Sequence, residues 1–214
     1  MENEKYLQDL AEIKSMMNRS SRFISLSGLA GVFAGIYAII GAVFAKIILR
    51  ENNSVYNGDY NSYSASNFNS DLAQQLILVA IAVLILAIGT AILLTTRKAR
   101  KNDQKIWDAT SKRLLINFFA PLAAGGVFCL VLLQYGIIGL IAPGMLIFYG
   151  LALIHGSKYT FADLKGLGYA NVILGLIATQ FIGFGIYFWA VGFGLFHIIY
   201  GIWMHNKYDR KTAE

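Results

Sequence analysis

Apolar residues in this chain come in long unbroken runs, not at the alternate positions of a half-buried strand or along one stripe of a surface helix. A helix needs about 20 residues to cross about 30 Å of hydrocarbon. The runs at 22–49, 72–96, 114–134 and 137–156 meet that length. The stretch 169–205 is too long for one tilted span and sufficient for two, with the break expected near Gly183-Phe184-Gly185, where paired glycines tolerate a turn. The pattern therefore predicts an all-α, polytopic integral membrane protein with six transmembrane helices over 22–205. A polar leader at 1–21 and a tail at 206–214 flank them.

The polar segments are few. The leader carries Glu2, Glu4, Asp9 and Glu12, unlike the basic start of a secretory signal, so the first helix is expected to be retained. Tyr6, Leu10, Ile13 and Met17 fall on one stripe of an amphipathic helix, suited to lying on the membrane surface or docking a partner. The outer loop 50–71 is dense in Asn, Ser, Gly and Tyr and lacks the apolar content for a core of its own. It reads as a solvated connector or as a contact loop using Tyr56, Tyr60, Tyr63 and Phe68, and Asn52-Asn53-Ser54 fits a glycosylation acceptor. In the basic inner linker 97–113, Ile106 and Trp107 resemble an interfacial segment.

Composition sharpens this picture. Hydrophobic residues make up 57% of the 214 positions and charged residues only 14%, against about 25% charged in a typical soluble domain. The net charge of +6 would suggest nucleic acid in a soluble chain. Here all 18 Lys and Arg except Lys46 and Arg50 fall on one side of the six-helix topology, a strong positive-inside signal placing both termini in the cytoplasm. The expected partner is thus the bilayer, with Arg97, Lys98, Arg100, Lys101 and Lys105 against anionic head groups, and no nucleic acid. The single cysteine, Cys129, permits no intramolecular disulfide.

Two patterns concern packing. Ser27, Gly31 and Gly35 form a small-residue stripe, which reads as a helix-packing face toward another helix of the chain or a second protomer in a homo-oligomer. Tyr149-Gly150, His155 and Lys158-Tyr159 are echoed by Tyr200-Gly201, His205 and Lys207-Tyr208, and Tyr135-Gly136-Ile137-Ile138 by Phe184-Gly185-Ile186-Tyr187. This suggests a parallel repeat of helical hairpins, helices 3-4 and 5-6. Thr160-Phe161-Ala162-Asp163 resembles a capping box opening a short cytoplasmic helix that Gly166 ends.

Candidate chemistry is sparse. No Asp or Glu falls within a predicted span, which removes the carboxylates that proton-coupled transporters and di-metal bundles commonly use. No HExxH, GxSxG, Walker A or Cys-x-x-Cys pattern occurs. What remains is His197, about 12 Å deeper than His205 at 1.5 Å per residue, with Asn171, Gln180 and Tyr200 as candidate neighbours in a pocket between helices 5 and 6. His197 reads as a neutral imidazole bonded to a Tyr or Asn of a neighbouring helix, or as a ligand. His155 and His205 close helices 4 and 6, and only these two could meet the equal depth that bis-His haem requires; no haem, metal or other cofactor is expected.

The segments Ser21-Arg22-Phe23-Ile24-Ser25-Leu26-Ser27-Gly28-Leu29-Ala30-Gly31 and Tyr149-Gly150-Leu151-Ala152-Leu153-Ile154-His155-Gly156-Ser157-Lys158-Tyr159-Thr160 resemble a group of small uncharacterised bacterial six-helix inner-membrane proteins. The resemblance implies a bacterial inner membrane and brings no activity and no catalytic residue. The expected function is a non-enzymatic membrane interaction or sensory module with a cytoplasmic protein partner. The alternatives are a small transporter or channel for a neutral or amphiphilic solute, and a membrane redox or metal/haem protein using His155, His197 and His205.

Overall fold

The computed structural model describes residue 6 and residues 26–51, 70–101 and 107–209. Leu10, Ile13 and Met17 of the leader stripe, most of the outer loop, Lys105, Ile106 and the end of the tail lie outside the described residues. The described chain is all-helical: α1 (Gly28–Glu51), α2 (Ser70–Lys101), α3 (Ala109–Gln134), α4 (Ile141–Gly156), α5 (Leu164–Ala178) and α6 (Gly185–Tyr208). Five of these are long and apolar enough to cross a membrane, the span of α4 counting its 3₁₀ turn at Ile138–Leu140. The exception is α5, apolar but only 15 residues long, or about 22 Å at 1.5 Å per residue. Length and composition therefore mark five crossings among the described residues, where the sequence pattern predicted six.

Helix ends depart from the apolar runs where polar residues are good helix formers. α2 runs on through Arg97, Lys98, Arg100 and Lys101, so these cations are helical and not in a linker, with Lys98, Arg100 and Lys101 on the last turn. There they complement the exposed carbonyls and the macrodipole. α3 starts at Ala109, ahead of the expected 114, because Asp108 caps it: the Ser111 backbone N–H and hydroxyl both donate to Asp108 Oδ1, at 2.7 and 2.8 Å. Those bonds outweigh the burial that alone would raise the Asp108 carboxyl, and hold its pKa below the ordinary value. The short helix expected to stop at Gly166 does not exist as a separate element. α5 begins at Leu164 and passes through Gly166, and Asp163 makes no capping bond to it; its carboxylate is engaged elsewhere.

Two helix pairs form the centre, each closed by glycines. On α1, a Cβ at Gly35 would lie 2.6 Å from Gly194 O and 3.0 Å from Ile198 N. On α6, a Cβ at Gly201 would lie 2.6 Å from Val32 N and 2.7 Å from Gly28 O. On α4 and α5 the arrangement recurs. A Cβ at Gly175 would lie 3.0 Å from Ile147 N and 3.0 Å from Pro143 O, and one at Gly150 would lie 2.6 Å from Gly168 O and 2.8 Å from Val172 N. Only hydrogen fits in such places, so backbones cross almost in contact. Gly28, Gly35, Gly194 and Gly201 thus answer Gly168, Gly175, Pro143 and Gly150 turn for turn. The small-residue stripe on α1 faces α6 of the same chain: Ser27 is buried, and a Cβ at Gly31 would lie 3.3 Å from Gly201 Cα.

The remaining helices flank these pairs. α2 lies along α1, with Val83 filling the space at Gly41 and the Tyr37 and Thr90 hydroxyls 3.2 Å apart. α3 lies along α4, with Phe148 over Gly125 and Phe118 beside Gly156. Most of α2 faces outward with Leu78, Ile85, Ile92 and Leu93 exposed, which suits a lipid surround and not water.

Candidate functional site

His197 lies where the α1–α6 pair meets the α4–α5 pair. It is buried, and both ring nitrogens are used: Nδ1 is 2.9 Å from Gly192 O and Nε2 is 2.6 Å from Tyr149 Oη. A carbonyl oxygen only accepts, so Nδ1 carries a proton, and in a neutral imidazole Nε2 accepts from the Tyr149 hydroxyl. For the neutral imidazole the tautomer is thus fixed by its partners. This is the Tyr-bonded form of the sequence reading, with Tyr149 of α4 as the donor.

The backbone of α6 is adapted to this contact. Ala190–Leu195 is a π-helical turn, which widens the helix and is found frequently at functional positions. The acceptor Gly192 lies within it, five residues before His197. Gly192 also lets α4 and α5 come close: a Cβ there would meet Leu146 of α4 and lie 2.8 Å from Asn171 Oδ1 of α5. Aromatic rings enclose the pair. Phe193 and His197 lie 4.9 and 5.3 Å from the Tyr149 ring, and Phe118 meets it edge-on at 6.2 Å.

Asn171 and Tyr200 complete the polar interior. Asn171 is fully buried; its Nδ2 donates to Leu167 O at 2.9 Å, while Oδ1 has no hydrogen-bond partner among the described residues. The Tyr200 hydroxyl is likewise buried without a partner among them. Tyr200 packs with Phe196 against Leu153, Leu164 and Leu167.

The other expected site residues stand apart. Gln180 is exposed in the α5–α6 turn, at the far end of α5 from Leu164, and its side-chain amide donates to the hydroxyl of its neighbour Thr179 at 3.2 Å. It does not line a pocket with His197, because the π turn and the glycine crossings bring α4, not the end of α5, against the imidazole. His155 is exposed at the end of α4, and His205 is half-buried where α6 crosses Gly28.

A second polar cluster, which the sequence reading missed, ties the loop between α4 and α5 to the end of α6. Asp163 Oδ2 accepts from Lys207 Nζ at 2.7 Å and from the Tyr208 hydroxyl at 2.6 Å. Burial alone would raise the Asp163 carboxyl, but the Lys207 and Tyr208 bonds and the Lys207 charge bring it below its ordinary range. The Phe161 and Tyr208 rings lie 4.3 Å apart, tilted by 36°. Lys98 at the end of α2 donates to Leu26 O at 2.9 Å and lies 5.6 Å from the Phe161 ring centre. Lys98 is therefore engaged within the protein, while Arg97, Arg100 and Lys101 are exposed. The signal was present as Lys207-Tyr208 in the repeat, but its partner Asp163 read as a helix cap. No protein-family model, curated protein or solved structure matches the chain.

Proposed function

We propose that this chain is a non-enzymatic interaction or sensory module of the bacterial inner membrane. Its six helices cross the bilayer, with α5 completed by its flanking turns, and both termini are cytoplasmic. The observation that carries this reading is the use of His197. The histidine buried in the bundle has both nitrogens committed to Tyr149 and Gly192, so it serves to join helices and offers no open position to a ligand. Chemistry available to a partner then lies at the cytoplasmic end, in the amphipathic leader and the exposed Arg97, Arg100 and Lys101. Those cations also support contact with anionic head groups.

The test is in-cell photocrosslinking from leader positions of the full chain. The reading expects a discrete protein adduct from positions on the stripe of Tyr6, Leu10, Ile13 and Met17, and none from an outward-facing position of α2 such as Ile85. Crosslinks to lipid alone at every leader position would overturn it. A second reading, a carrier for a neutral or amphiphilic solute, is favoured by one feature, the unpartnered Asn171 Oδ1 and Tyr200 hydroxyl. Saturable uptake into proteoliposomes that Asn171→Leu abolishes would decide for it.

A further inference from the structure

We propose that the bundle is a hinged pair of three-helix halves, α1–α2–α6 and α3–α4–α5, clasped at the cytoplasmic end by Asp163 on one half and by Lys207 and Tyr208 on the other. Each half is tight within itself. α1 and α6 cross backbone to backbone at Gly28, Gly35 and Gly201, and Tyr37 bonds α1 to α2. α4 and α5 cross in the same manner at Gly150, Gly168 and Gly175, and Phe148 fills the groove at Gly125 of α3. Sliding within a half would drive backbone atoms into each other.

Between the halves the contacts are of another kind. Lipid tails are as apolar as Leu, so no hydrophobic force holds Phe196 and Tyr200 against Leu164 and Leu167; packing and hydrogen bonds must do it. The polar links across the joint lie toward one end. Asp163 receives Lys207 and Tyr208, the Phe161 ring packs against Tyr208, and Lys98 reaches over Phe161. Deeper in, Tyr149 to His197 is the link on which the halves would pivot. At the opposite end the chain itself connects them through the α5–α6 turn, where Gly183 takes φ 102°. There Ile182 fits against Gly139, and a Cβ at Gly185 would meet Ala142 Cβ at 3.1 Å.

With its other end packed at Ile182 against Gly139 and at Gly185 against Ala142, the joint opens at the clasp first; the chain link on the clasp side, residues 102–108 between α2 and α3, can span about 3.3 Å per residue and so follow an opening of several ångströms. Opening would uncover the faces of α5 and α6 that hold Asn171 and Tyr200, whose free polar atoms would gain partners. This deepens the sensory reading and rests on it for what the opened face would do. The joint itself is measurable without any partner, so the two ideas can fail separately.

The experiment is double electron–electron resonance on the full chain in nanodiscs, with Cys129→Ala as background. One spin-label pair, at Lys158→Cys and Asn206→Cys, reports the cytoplasmic end; a second, at Arg50→Cys and Tyr135→Cys, reports the opposite end, and all four sites are exposed. Asp163→Ala and Lys207→Met should each lengthen the cytoplasmic distance by several ångströms and leave the opposite one within the unmutated distribution. Unchanged distances in both variants would overturn the clasp, and equal lengthening at both ends would overturn the hinge. Lys207 is 43% exposed in its side chain, so its variant keeps the test alive should Asp163→Ala fail to fold.

Discussion

The glycine crossings carry a prediction that separates close backbone contact from mere glycine abundance. A methyl group at Gly201 would sit 2.6 Å from Val32 N and 2.7 Å from Gly28 O, whereas ordinary contact begins at 3.4 Å. Both obstacles are backbone atoms of a continuous helix, so no rotamer change relieves them and α1 must move away from α6. Overpacking of this kind costs about 1–3 kcal/mol. Alanine's better helix propensity returns at most about 1 kcal/mol, so Gly201→Ala should destabilise by about 0–2 kcal/mol net and by about 1–3 kcal/mol relative to Gly89→Ala, which gains the same propensity. Gly150→Ala meets Gly168 O at 2.6 Å and Val172 N at 2.8 Å and should cost a similar amount. Gly89 and Gly126 have nothing within 4 Å of the added carbon, and their alanine variants should be neutral or slightly stabilising. Equilibrium unfolding in mixed micelles, titrated with a denaturing detergent, measures all four. If Gly201→Ala proves no more costly than Gly89→Ala, the backbone crossing of α1 and α6 is wrong.

Other outcomes follow from the polar groups. Tyr149→Phe and His197→Leu should each destabilise, and a double-mutant cycle should give a coupling of about 0.6–1.7 kcal/mol, the range for interhelical hydrogen bonds in lipid; zero coupling would deny the 2.6 Å bond. Asn171→Leu should be neutral or stabilising in the same titration, because it removes a buried acceptor that has no partner among the described residues. Asp108→Ala should cost about 1 kcal/mol through loss of the α3 cap, read by the same unfolding titration. Asp108 and Asp163 have folded pKa values below their ordinary ones, so their stabilisation is present above the unfolded-state pKa and is lost as pH falls through the folded one. A melting temperature that does not fall on acidification below about pH 4 would contradict both sets of bonds.

The helices were legible because a run of apolar residues long enough to cross a bilayer is hard to mistake. Their ends were not, since Arg97 to Lys101 are helical although polar, and Asp108 starts α3 ahead of the apolar run. His197 could be singled out by the cost of its depth. Its partner could not, because meeting Tyr149 depends on how α4 and α6 are rotated about their axes, which composition does not record. The π turn leaves only Gly192 and Gly194 as traces. Asp163 was misread for a physical reason: a carboxylate three residues after Thr160 suits the reciprocal place of a capping box as well as it suits a lysine from elsewhere in the chain, and here Lys207 and Tyr208 take it.

The repeat shows how a local echo can be real in its residues and misassigned in its pairing. The sequence suggested that hairpin 3-4 answers hairpin 5-6, which would require α6 to sit on α5 as α4 sits on α3. In the structure α6 instead crosses α1, and the crossing that matches it joins α4 to α5. Aligning Gly201 with Gly150 and Ile198 with Ile147 sets Tyr200 against Tyr149, and sets His197 against Leu146. The two tyrosines therefore occupy equivalent places, but only one register supplies an imidazole. Tyr149 donates to His197, and the Tyr200 hydroxyl is left without a partner among the described residues. A symmetric pair of Tyr–His links would fasten the joint twice, whereas a single one leaves a pin about which the halves can turn. The asymmetry at one residue thus gives the Asp163 clasp a movement to restrain.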